Sequence, residues 1–87
     1  MRYRIEWKSS ALREFRKLPA NVRDSVRCRI EGLADEPRPS GCKKLSGIQG
    51  VFRVRDGDYR ILYEIEDEAI VIVILRVRHR GESYRGL

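Results

Sequence analysis

The stretch Val51–Tyr63, VFRVRDGDYRILY, decides the fold. Two runs of alternating apolar and charged residues flank Asp56-Gly57, the dipeptide that best tolerates the positive φ angles of a two-residue hairpin turn. The stretch therefore reads as a β-hairpin, with strands over Val51–Arg55 and Asp58–Ile65. Residues i and i+2 of a strand share a face. Arg53 and Arg55 thus project together, while Phe52 and Val54 point the other way. Across the turn, Arg60 alternates with Tyr59 and Ile61. Stability alone gives no reason to gather mutually repelling guanidinium groups, whereas holding phosphate does.

Working outward, Glu66–Glu68 turns the chain into Ala69–Arg78. This apolar, β-branched run has a central strand's composition, covered on both faces. Toward the N-terminus, Arg2–Trp7 alternates Tyr3, Ile5 and Trp7 with Arg4 and Glu6, which predicts a first strand. Ser9 or Ser10 offers an N-cap for a short helix to Lys17. Pro19 suits the first turn of a second helix. There Val22, Val26, Ile30 and Leu33 form one buried stripe, with Arg23, Arg27 and Arg29 toward water. Pro37 and Pro39 end that helix. A Gly/Ser/Lys-rich connection follows over 39–50, with Lys43 and Lys44 in a loop and Leu45 and Ile48 as anchors into the core. The expected fold is α+β: a single domain over residues 1–87 in the order β-α-α-β-β-β, an antiparallel sheet packed on one side against an N-terminal helical hairpin.

Composition narrows the partners. The 87 residues carry a net charge of +6. A balance this basic favours a polyanion. Residues 37–63 hold six Lys/Arg against two Asp/Glu, so the excess gathers on the hairpin and its approach. Cys28 and Cys42 are too few for a disulfide framework and lack metal-ligand spacing. They read as reduced cysteines of a cytoplasmic protein without metal or cofactor. No segment reads as a signal peptide or a bilayer-crossing run.

In this order, YRIEWKSSALREFRKLP (3–19), KKLSGIQGVFRVRDGDYRILYEI (43–65) and VILRVRHRGESYR (73–85) resemble the RelE/ParE toxin superfamily, specifically its RelE-type mRNA interferases. The resemblance covers almost the whole chain. It implies the toxin of a type II toxin–antitoxin system: a ribosome-dependent endoribonuclease that enters the A site, cleaves mRNA by 2′-hydroxyl attack and leaves a 2′,3′-cyclic phosphate. It also implies a RelB-like antitoxin as partner. By position, Arg53 and Arg55 match two strand lysines of the family. Arg60 matches the arginine on the scissile phosphate, Arg80 the arginine assigned to the leaving group, and Tyr84 the late tyrosine that orients a nucleotide. Arginine at 53 and 55 is a departure, because a guanidinium stays protonated and cannot serve as a general base.

Other residues carry weaker signals. Lys43, Lys44 and Arg78 are candidate RNA-backbone contacts. His79 is the only histidine, a side-chain type whose ordinary pKa lies near neutrality, and Glu64 is a carboxylate of the hairpin strand; both are candidate acid–base groups. Against each stands a plainer role: strand arginines paired with Asp56, Asp58 or Glu64, a structural histidine on the opposite side of its strand from Arg78 and Arg80, and a tyrosine packing the tail. Tyr59, Tyr63 and Trp7 read as packing residues. Two other functions share the fold: a ParE-type toxin that poisons DNA gyrase, and a catalytically silent module that binds RNA or antitoxin.

Overall fold

The computed structural model describes residues 2–81. Its elements are β1 (Arg4–Trp7), α1 (Ser9–Arg16), α2 (Ala20–Asp35), β2 (Lys43–Lys44), β3 (Val51–Asp56), β4 (Tyr59–Glu66) and β5 (Val71–His79). One five-stranded sheet has the order β1-β5-β4-β3-β2. The α+β class and the run of elements agree with the sequence reading, with three differences of detail. First, β1 lies parallel to β5, in the register Arg4↔Val71 to Trp7↔Ile74, so the sheet is mixed, not wholly antiparallel. Parallel neighbours need a long crossover, and everything from α1 to β4 intervenes here. Second, Lys43 and Lys44 are not in a loop: they form the short edge strand β2, antiparallel to β3. Third, Asp56 pairs with Tyr59, so the turn residues are Gly57 and Asp58, one position later than Asp56-Gly57. Gly57 takes the positive φ of 60° that the first central position of such a turn requires.

The core explains the helices. Ala11 and Phe15 of α1 and Val26, Ile30 and Leu33 of α2 meet Val54, Ile61, Tyr63, Ile65, Ile72, Ile74 and Val77 of the sheet. Fully burying a side chain of the Val, Ile or Leu kind contributes roughly 1.5–3 kcal/mol. This one apolar layer therefore fastens both helices to one sheet face. Trp7 packs on Phe15 with ring centroids 5.0 Å apart. Tyr63 is fully buried, and its hydroxyl donates to the Pro37 carbonyl at 2.7 Å. Burial pushes its phenol pKa well above the usual value.

Some local readings change. Helix α1 begins at Ser9 with Lys8 in the N-cap position, so neither Ser9 nor Ser10 caps it. The Arg23 guanidinium does not simply face water: it donates to the Arg16 and Leu18 carbonyls, each at 3.4 Å. It thereby satisfies oxygens left open where α1 ends. Ile48 is 40% exposed and anchors nothing. Leu45 is half-buried, and its N–H donates to the Val51 carbonyl at 2.8 Å. Both cysteines are free. Among the described residues no helix is long and apolar enough to cross a membrane.

Candidate nucleic-acid interface

Register decides which cations meet. Arg55 pairs with Arg60, and Arg60 pairs with Arg78. Directly opposed residues share a sheet face, so these three arginines form one row across β3, β4 and β5. The next row, two residues along each strand, contains Lys43, Arg53, Leu62 and Arg76. Strands lie about 4.8 Å apart, which puts the backbones of Arg55 and Arg78 about 10 Å apart, with Arg60 midway. The helices cover the opposite face, where Val54, Ile61 and Val77 enter the core.

A β-bulge makes this possible. Tyr63 pairs with Ile74 but Leu62 pairs with Arg76, which leaves Leu75 without a partner on β4. In an unbroken register, Leu62 would oppose Leu75 and Arg60 would oppose Val77. Arg76 and Arg78 would then point into the core. One extra residue re-aims the rest of the strand. The bulge therefore sends Val77 inward and brings both arginines beside Arg60.

Arg60 is half-buried, and its Nε is buried with no hydrogen-bond partner among the described residues. A desolvated donor without an acceptor costs about 1–3 kcal/mol, and an anionic ligand is the natural group to supply one. Arg78 and Arg76 are held differently: Glu14 of α1 accepts from Arg78 Nε at 2.7 Å and from Arg76 Nη1 at 3.1 Å. Arg80 follows β5. Its backbone N–H donates to the Asp58 carbonyl at 2.7 Å, and its Nε lies 3.8 Å from the Asp58 carboxylate.

The acid–base candidates fall elsewhere. Glu64 opposes Val51 and Val73 on the arginine face, four residues from Arg60. At about 3.3 Å per residue, that is about 13 Å along the strand. Among the described residues Glu64 has no ion pair with Arg53 or Arg60, so the ordinary role expected of it is not taken up. His79 opposes Tyr59 and meets its ring edge-on at 5.4 Å, on the side away from Arg78. Lys43 belongs to the arginine rows, whereas Lys44 opposes Phe52 and faces the other way. Tyr84 lies outside the described residues. Arg76 and Glu14 are functional candidates that the sequence alone does not single out. The alternation that groups Arg78 with Arg80 also includes Arg76, but Glu14 meets its partners more than sixty residues away and leaves no local signal.

Comparison with known proteins agrees with this architecture. The family described as the ParE toxin of the type II toxin–antitoxin system parDE matches residues 5–84. Toxin RelG of Mycobacterium tuberculosis is 37% identical over 98% of this chain and 99% of its own. The chain belongs to the RelE/ParE family of type II toxin–antitoxin toxins. The mRNA interferase toxin RelE of Escherichia coli K12 is 31% identical, covering 97% of this toxin and 92% of RelE. In the M. tuberculosis RelBE2 toxin–antitoxin complex, a chain 37% identical superimposes with a TM-score of 0.82, covering 94% of this toxin and 95% of that chain. The arginine rows of this RelE/ParE toxin thus sit on a scaffold shared with relatives named as interferases.

Proposed function

We propose that this toxin is an endoribonuclease that cuts mRNA at the ribosomal A site in the cytoplasm, with the arginine face as its active surface. The row Arg55–Arg60–Arg78 carries the proposal, because the central guanidinium has a buried donor with no acceptor. In the reaction the RNA's own 2′-oxygen attacks phosphorus and the bond to the 5′-oxygen breaks. The products are a 2′,3′-cyclic phosphate and a 5′-hydroxyl end. Negative charge grows on the phosphoryl oxygens, and preorganised cations at that point are worth about 3–4 kcal/mol each. Arg60 is assigned to the scissile phosphate, with Arg53 and Arg55 on flanking phosphates. Arg80 and Tyr84 take the leaving-group and nucleotide-orienting roles that the resemblance implies. The arginines act by charge and not as bases, since they stay protonated. DNA lacks the attacking hydroxyl, which restricts the substrate to RNA.

A RelB-like antitoxin is the proposed partner, supported by the relative solved as a toxin–antitoxin complex. A second reading, gyrase poisoning, is favoured by the ParE name of the matching family. Antitoxin-free protein added to a translating extract distinguishes them. The proposal expects messages cut within codons only when ribosomes occupy them, with cyclic phosphate ends. Intact mRNA together with gyrase-dependent DNA breaks would replace it with the second reading.

A further inference from the structure

We propose that Glu14 is a positioning residue for the arginine face: reaching from α1 to the edge of β5 beyond its pairing with β1, its carboxylate helps set where the Arg76 and Arg78 guanidinium groups stand. This deepens the RNA-cleaving role proposed above and rests on it. Strand β1 pairs with β5 only as far as Trp7↔Ile74, and the Lys8 N–H donates to the Ile74 carbonyl at 2.9 Å. The chain then leaves for α1, and from Leu75 onward β5 has no β1 partner. A backbone N–H on such an edge still needs an acceptor. Glu14 Oε1 accepts from the Val77 N–H at 3.0 Å. Its Oε2 accepts from Arg78 Nε at 2.7 Å and Arg76 Nη1 at 3.1 Å. The side chains are 21%, 22% and 13% exposed for Glu14, Arg78 and Arg76, so water screens these charges weakly.

The order of constraint follows from the chemistry. The rigid strand backbone at Val77 fixes Oε1, so Oε2 cannot drift, and the two long cationic side chains come to it. Arg78 opposes Arg60, and like charges directly opposed repel. Among the described residues, one carboxylate is shared by these two guanidinium groups. Its hold on Arg78 acts against the repulsion from Arg60.

The test uses the full-length protein free of antitoxin, as wild type, Glu14→Gln and Glu14→Asp. A thermal melt selects a temperature at which all three are folded. Arginine side-chain NMR resonances report the clasp directly: the Nε–Hε of Arg78 and the Nη1 protons of Arg76 are slow to exchange in wild type and fast in Glu14→Gln. A single-stranded RNA with 2′-O-methyl groups throughout serves as the uncleavable binding probe. With the neutralising charge gone, the slope of log affinity against log salt steepens by about 0.7 per additional phosphate contact. Misplaced arginines at the same time slow single-turnover cleavage of ribosome-bound mRNA roughly 10- to 100-fold. Glu14→Asp keeps the charge but loses reach, so its salt slope stays as in wild type while cleavage falls. It also carries the test if the Gln variant does not fold. Unchanged arginine exchange and salt slope in Glu14→Gln would overturn the proposal. So would binding and cleavage that fall together only in step with melting. If wild type binds and cuts no RNA, the proposed function fails, and the arginine resonances still decide whether Glu14 holds the pair.

Discussion

Replacing Arg60 by methionine separates what the arginine face does for function from what it costs in stability. Methionine keeps an unbranched stem of similar length, so packing along the strand is largely preserved. It removes a buried Nε donor that has no acceptor among the described residues, relieving about 1–3 kcal/mol. It also removes a charge that directly opposes both Arg55 and Arg78, worth about 0.2–1 kcal/mol for each pair. Against these gains stands whatever packing the guanidinium itself contributes. The expected balance is a variant more stable than wild type by about 1–3 kcal/mol. A domain of this size gains about 4–8 °C in melting temperature per kcal/mol. Cleavage should fall about 10²- to 10³-fold, the effect of losing one preorganised group at the developing charge. Calorimetry and single-turnover cleavage on the same preparations read both quantities. A variant that melts below wild type, or that cuts at the wild-type rate, would refute the reasoning. Opposite signs in stability and activity are what a ligand site, as distinct from a structural arginine, should give.

Three further outcomes concern the scaffold. Tyr63→Phe leaves the Pro37 carbonyl without its donor and should lower stability by about 1–2 kcal/mol in urea denaturation. Asp67 accepts from Arg38 and from the Tyr3 hydroxyl, at 2.9 and 2.7 Å, and these donors hold its carboxyl below the usual range. A depressed folded pKa gives stability that is complete above the unfolded carboxylate's value of about 4 and lost as pH falls through the folded one. The gap in urea midpoint between wild type and Asp67→Asn should therefore be flat near neutrality and close below about pH 4. Ile48→Ser, at an exposed position, should change stability by no more than about 0.5 kcal/mol.

Much of this was legible in the chain, for physical reasons that can be named. The two periodicities, 2 for strands and 3.6 for helices, separate Val54 and Ile61 from Arg53 and Arg60, and Val26, Ile30 and Leu33 from Arg27. The grouping of Arg53, Arg55 and Arg60 survives the one-residue displacement of the turn, because that shift keeps all three on the same face. What stayed hidden is non-local. Nothing in Arg4–Trp7 says which strand it joins or in which direction. The run VIVILRVRH carries no mark of the bulge at Leu75, since every residue before Arg76 is apolar. Ile48 sits in a connection where an apolar residue reads as an anchor, yet the edge strand β2 draws that loop outward. Glu14 looks like one charge in a mixed helix until folding delivers it to β5.

A single RNA linkage held by the arginine row is the central claim, and the direct measurement is a structure of the toxin on a ribosome whose A-site codon carries 2′-O-methyl groups. The expected result is a phosphate oxygen between the cut nucleotides within about 2.7–2.9 Å of the Arg60 guanidinium, with neighbouring phosphates on Arg53 and Arg55. A codon lying against the helical side of the sheet, with Arg60 still facing solvent, would contradict it.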